Sequence, residues 1–424
     1  MKIAIVGTGI SGMLAAYRLQ QRHQVTVFEA GDYIGGHSNT VDVSLGDGHW
    51  SIDTGFIVFN DRTYPNFIAL MDELGVASQP SRMTFSVSCN ETGLEYCGGN
   101  LNEVFAQRRN LVRPSFLAML RDILRFNREA RKLLDDSQDS RSLGDYLDDE
   151  GYGQPFVRDY IIPMAAAIWS TDHELMFRFP ARHFIRFFDN HGLLQLKDRP
   201  QWRTITGGSR QYVTRLTAPY ADRIRLNTPV QQVERFDDRV EITASGTTET
   251  FDVVFIATHS DQALAMLTRP TRNESDILGA IPYQPNTAVL HTDPALLPHR
   301  PLARAAWNYL RKRAADTRVA LTYYMNILQS IDAPHDFCVT VNRDDDIDPA
   351  GVIQRIDYAH PVFTTTGVAA QRRYDEVNGV NRTYYCGAYW GYGFHEDGVN
   401  SALAALRAFD RHEKDEKLYL RRAS

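Results

Sequence analysis

Three glycines and one acid carry the first chemistry that can be read along this chain. Gly7, Gly9 and Gly12 stand at the spacing G-x-G-x-x-G, and Glu29 closes the apolar run that follows. A turn of this kind binds the pyrophosphate of a dinucleotide. The first glycine permits the tight turn, the second lets the phosphates approach the backbone, and the third lets a helix pack closely on a strand. Ile10 and Ser11 lie where a helix N-terminus begins, and there the unpaired N–H groups and the helix dipole favour negative charge. Glu29, followed by Ala30, is placed to accept hydrogen bonds from both ribose hydroxyls. Its charge would repel a 2′-phosphate, which disfavours NADP at this site.

The elements needed to position these residues are legible around them. Lys2 to Val6 is a short apolar run with β-branched members, Met13 to Leu19 continues as a helix, and Gln24 to Phe28 is a second apolar run. Strand, glycine turn, helix and strand together make a β-α-β unit. Asp252 to Thr258 is a continuous apolar run suited to a parallel strand covered on both faces. Arg223 to Val230 and Val240 to Thr243 read as further strands, and a strand pair is expected near Met83 to Tyr96. Amphipathic helices are expected at Tyr64 to Leu74 and Phe116 to Leu134.

Composition narrows the class. With 424 residues, 43% hydrophobic and 23% charged, the chain can bury cores for two or three domains. A net charge of −6 argues against a nucleic-acid partner. Cys89, Cys97, Cys338 and Cys386 have no C-x-x-C spacing, so the reading is free thiols rather than zinc or disulfides. The N-terminal apolar run is too short for a signal peptide and no run is long enough to span a bilayer, which suits a cytoplasmic protein.

Beyond Glu29 the chain resembles a known family. A second glycine pair, Gly35-Gly36, followed by His37, is similar to the extended fingerprint of the FAD-containing amine oxidases, phytoene desaturases and their relatives. Ile52-Asp53-Thr54-Gly55 resembles the acid-x-Gly segment beside the isoalloxazine, and Gly207-Gly208 the turn returning the chain to the flavin. Cys386-Gly387-Ala388 resembles the last short strand and its glycine, with Ala388 where the family usually has an acid. The ending Gly391 to Gly398 resembles bacterial amine-oxidase-like flavoproteins associated with cyclopropane-fatty-acid synthase genes. The resemblance implies FAD as cofactor. It implies an α/β fold, with a Rossmann-like FAD-binding domain of the glutathione-reductase type (1–60, 205–265 and 375–424) and an interleaved α+β substrate domain (61–204 and 266–374). It also implies backbone contacts from Gly387 or Ala388, a helix opening near Gly398-Val399 whose N-terminus faces the flavin, and Val230 beside the adenine. Read without the resemblance, Val230 is equally a strand core residue.

The chemistry implied is hydride transfer from a small hydrophobic substrate, fatty-acyl or lipid, to flavin N5. The alternatives are a flavin-dependent isomerase of an unsaturated lipid and an FAD-binding redox sensor without turnover. Some amine oxidases use a lysine near N5 on a strand that would correspond to Pro285 to Asp293; this stretch has none, which weighs against amine oxidation. His395, just before the final helix, is the candidate catalytic side chain because histidine titrates near neutrality. The bland reading is a histidine that only hydrogen-bonds its neighbours. His37, beside the glycine pair, is expected as a packed, noncovalent histidine, the alternatives being contact with the cofactor or covalent attachment to it, and Tyr389, Trp390 and Tyr392 either wall a substrate cavity or belong to the core. On the helix at Phe116 to Leu134, Phe116, Leu117, Leu120, Ile123, Leu124, Leu133 and Leu134 are read as one apolar face. Arg121, Arg125, Arg128 and Lys132 lie beside it, with Arg108, Arg109 and Arg113 upstream. That pattern suits either a core-facing helix with a solvated basic side or peripheral contact with an anionic membrane surface.

Overall fold

The computed structural model describes residues 1–46, 48–312 and 321–423; residues 313–320 of the expected substrate domain lie outside this description. β1 (Lys2–Val6) is followed by α1 (Ile10–Leu19) and β2 (Gln24–Phe28). β1 lies between β2 and Val253–Ile256, and the outer positions of this five-stranded parallel sheet are Ile224–Arg225 and Thr383–Tyr385. Ile3, Ala4, Ile5, Val254, Phe255 and Ile256 are wholly buried, as a strand covered on both faces requires. The C-terminal helix (His395–Ala423) packs against α1 and covers one face.

The second unit is a mixed seven-stranded sheet. Its order is Val352–Pro361, Tyr283–His291, Cys338–Val341, Leu321–Tyr324, Trp307–Arg311, Phe85–Cys89 and Leu94–Cys97. Thus strands before residue 100 and after residue 280 pair in one sheet. Helices between Pro114 and Asn190 pack over it through an aromatic core of Phe116, Phe126, Phe156, Trp169, Phe184 and Phe188. A small antiparallel sheet, in which Trp202–Ile205 pairs with Phe59–Asn60 and Ser78–Pro80, brings the chain back to the parallel sheet.

Three local expectations change. The basic helix runs from Pro114 to Glu129 and tightens to a 3-10 turn over Ala130–Leu134. Its apolar side chains do not share one buried face: Leu117 and Leu124 are exposed. The strand expected at Arg223 to Val230 is split into Ile224–Arg225 and Val230–Arg235, because Asn227 takes a left-handed φ of 51° and bonds through its N–H to the carbonyl of Gly31 at 2.9 Å. The four cysteines are free and buried.

Candidate functional site

A cavity of about 720 Å³ opens at the carboxyl ends of β1 and β2 and runs into the space beneath the seven-stranded sheet. Carboxyl ends of parallel strands are where such folds bind ligands. One end is built by the glycine turn. Gly7, Gly9, Ile10, Ser11, Glu29, Ala30, Gly35, Gly36, His37, Gly55 and Val230 all stand on the wall. Gly9 caps α1 with no side-chain cap, and a Cβ built on it would meet no atom within 4 Å. The backbone there faces open space, the cradle that a pyrophosphate requires. Gly12 is not on the wall; a Cβ there would fall 2.0 Å from the Gly7 carbonyl oxygen, so this glycine serves helix-on-strand packing. Glu29 accepts hydrogen bonds from the Thr8 N–H at 2.9 Å, the Thr8 hydroxyl, and the Gly31 N–H at 2.8 Å. The carboxylate is thereby held at the end of β2, beside Thr228, Val230 and Gln231 on the same wall.

The C-terminal helix start is locked by each acid of His395-Glu396-Asp397. Glu396 accepts from the N–H groups of Asn66 (3.0 Å) and Phe67 (2.8 Å), and Asp397 accepts from those of Tyr392 and Phe394, both at 3.0 Å. Burial pushes the Asp397 carboxyl up to about 7. Gly398 and Val399, expected at the cofactor, lie off the cavity wall. Gly398 packs on α1, taking the Ser11 hydroxyl on its carbonyl at 2.9 Å, and Val399 is core. Gly387 and Ala388 do line the cavity. Thr54 does not: it turns inward to the Asn39 carbonyl (3.2 Å) and the Tyr358 hydroxyl (3.1 Å). Asp53 is likewise interior, accepting from Thr40 (2.6 Å), the Ser209 N–H (2.8 Å) and Gln329 (3.2 Å), and so ties the two glycine-turn regions together rather than facing a ligand.

His395 lines the cavity, stacked on Phe56 with ring centroids 3.5 Å apart. Its Nε2 is within hydrogen-bond distance of the Ser38 hydroxyl (2.9 Å) and the Tyr212 hydroxyl (3.0 Å). Burial lowers its pKa to about 3, so it stays neutral and does not titrate near pH 7. The expectation of a near-neutral acid–base group is thereby corrected: the ring is a fixed wall. Desolvation also lowers His37, His259 and His360, the last to about 4. His37 stacks on Tyr358 at 4.6 Å, and its Nε2 is buried without a hydrogen-bond partner among the described residues. An orphaned polar atom on this wall fits a polar edge of a bound cofactor.

The other end is largely apolar: Ile57, Val58, Ile168, Trp169, Trp307, Phe363 and Phe394, with Ser170, Tyr64, Tyr323 and Tyr392; the Tyr389 ring lies on the wall beside Gly387. Trp390 is not among them and packs edge-on to Tyr374. Among the described residues, Glu29 is the one acid on the whole cavity wall, and no lysine or arginine reaches it. Lys312 is paired with Asp346 at 2.6 Å, away from this wall. Sequence reasoning missed His259, His360, Tyr283, Trp307 and Tyr323, since nothing local in the sequence marks them.

The sequence profile of the flavin containing amine oxidoreductases matches residues 10–325. The chain belongs to this family. As a member of the family it is an FAD-dependent oxidoreductase, and the open glycine turn with Glu29 fits the adenosine diphosphate half of that cofactor. Solved structures bear out the fold. Cyclohexylamine oxidase from Brevibacterium oxydans IH-35A is 16% identical with a TM-score of 0.67, over 97% of this chain and 99% of that one. A CLA-producing fatty acid isomerase from P. acnes is 16% identical with a TM-score of 0.66, over 96% and 98%. Wild-type putrescine oxidase bound to putrescine is 14% identical with a TM-score of 0.67, over 97% and 99%. No curated protein matches the sequence. Among the described residues no helix is long and apolar enough to cross a membrane.

Proposed function

We propose that this flavoprotein oxidises a neutral, apolar substrate of the acyl-chain type, seated in the aromatic end of the cavity. The observation that supports this reading is that, among the described residues, no charged side chain lines that end. An ammonium group there would lose water with no carboxylate to pair it, a cost of several kcal/mol, or would have to shed its proton. The nearby histidines are neutral, so a substrate carboxylate would also go unpaired and belongs outside, in water. A hydrocarbon segment meets mainly aliphatic and aromatic carbon, at about 0.8 kcal/mol for each methylene buried. Two of the structural neighbours are named for amines and one for a fatty acid; the uncharged wall favours the latter kind of substrate.

When bound, FAD supplies a two-electron acceptor beside the substrate. The chain's own residues orient and dehydrate. Phe56 and His395 form a stack on the cavity wall, and Ser38 and Tyr212 hold the imidazole in place. Trp169, Trp307 and Phe363 exclude water from the apolar end.

Anaerobic mixing of the FAD-bound protein with unsaturated phospholipids and fatty acids on one side, and aliphatic amines on the other, tests this. The expected result is lasting bleaching of the flavin band by an acyl substrate and none by amines. Bleaching by amines alone overturns the reading. A shifted double bond without lasting bleaching retains the substrate class and replaces net oxidation by isomerisation.

A further inference from the structure

The chain as a whole is acidic, yet between Leu101 and Arg128 it carries six arginines and two acids, Glu103 and Asp122. Both acids are buried. The same stretch holds five of the large apolar side chains left in water: Leu101, Leu111, Val112, Leu117 and Leu124, between 43% and 81% exposed. Isolated exposed leucines need no explanation, but a run of them along one surface does.

The helix Pro114–Glu129 organises this surface. Leu117 and Leu124 are two turns apart and lie on one side, with Arg113 one turn before the first leucine and Arg121 and Arg128 one turn after each. Phe116, Met119 and Phe126 occupy the opposite side and pack into the aromatic core. Leu111 and Val112 come from the 3-10 turn Arg108–Val112, which packs against the start of the helix. Arg121 is 3.5 Å from Asp122 and Arg128 is 2.7 Å from Glu129, yet their side chains remain 77% and 72% exposed. The stripe therefore alternates cation and aliphatic group along the outside of the molecule.

We propose that this face docks on an anionic phospholipid bilayer. Leu111, Val112, Leu117 and Leu124 enter the boundary between headgroups and acyl chains, while Arg113, Arg121 and Arg128 run their stems along the apolar surface and leave their guanidinium groups among the phosphates. Charge complementarity selects the occupant. An acidic protein partner is disfavoured because the exposed apolar members are aliphatic, whereas protein interfaces concentrate their energy in tryptophan, tyrosine and arginine anchors. This inference is independent of the substrate reading, and its test is binding rather than turnover.

The test is co-sedimentation of the full-length FAD-bound protein with vesicles of phosphatidylglycerol and phosphatidylcholine, against vesicles of phosphatidylcholine alone, at low salt. The protein is expected to bind the anionic vesicles at least about tenfold more tightly, since each arginine near an anionic surface contributes roughly a factor of five. On the same scale, R113Q/R121Q/R128Q weakens binding about a hundredfold. L117S/L124S also weakens it, and both variants keep the wild-type melting temperature and FAD content. Equal binding to the two kinds of vesicle, or undiminished binding by the arginine variant, overturns the proposal. So does a wild-type dimer in sedimentation velocity that L117S/L124S converts to monomer without any vesicle binding, because the face then belongs to a second copy.

Discussion

Alanine at Gly9 and at Gly12 separates two properties of one turn, its stability and its capacity to hold a pyrophosphate. Gly9 has φ −60° and ψ 171°, a conformation open to any residue, and a Cβ there meets no atom within 4 Å. Replacing glycine by alanine at a helix cap costs up to roughly 1 kcal/mol, and the stiffer unfolded chain returns about 0.4–1 kcal/mol. The melting temperature of flavin-free G9A should therefore stay within about 3 °C of wild type. The same methyl group stands in the space through which the phosphates approach the backbone. Overpacking costs about 1–3 kcal/mol, so G9A should bind FAD about 5- to 150-fold more weakly. G12A should behave in the opposite order. Its methyl would lie 2.0 Å from the Gly7 carbonyl oxygen and 3.1 Å from the Ala257 Cβ, and α1 must move by about 1 Å to admit it. The flavin-free protein should then lose stability at or beyond the upper end of the same range. Thermal unfolding of the flavin-free proteins and FAD titration followed by fluorescence quenching give both quantities. G9A with wild-type FAD affinity would refute the placement of the phosphates on this turn.

Three further outcomes are expected. E29Q loses the anionic acceptor for the Thr8 and Gly31 donors and for the ribose, and FAD affinity measured by calorimetry should fall about tenfold to hundredfold; unchanged affinity would remove Glu29 from the site. Asp397, raised to about 7 by burial, holds its proton more tightly when folded. Its contribution to stability is full below about pH 4 and is lost as pH rises through 7, by a few kcal/mol at most. Urea unfolding of wild type and D397N should show a difference that changes across this window and is flat above about pH 8; a difference constant with pH would contradict the buried carboxyl. Because His395 is neutral throughout, H395N should lower turnover while leaving the shape of the pH profile between 5 and 8 unaltered, and loss of an inflection near 6.5 in the variant would show a titrating imidazole.

The cofactor half of the molecule was legible because its signals are local. β1, α1 and β2 follow from a few residues each, and the apolar run at Val253–Ile256 could be placed in a parallel sheet from burial logic alone. The errors have physical causes of the same scale. Thr54 lies between Asp53, which faces the interior, and Gly55, which faces the cavity, and spacing along the chain does not say which way it turns. Leu117 and Leu124 fall outside the buried face because an apolar face drawn from periodicity is wider than the side of the helix that packs. The substrate end was not legible: Trp307 and Tyr323 meet across two paired strands, Trp169 ends a helix and Phe363 follows the strand Val352–Pro361, and only the fold brings them to one wall.

The most direct measurement on this account is the absorbance spectrum of the purified chain, with the nucleotide released by denaturation counted against protein. The structure predicts a yellow protein that yields about one FAD for each chain. A colourless protein that takes up no FAD when refolded in excess cofactor would contradict it.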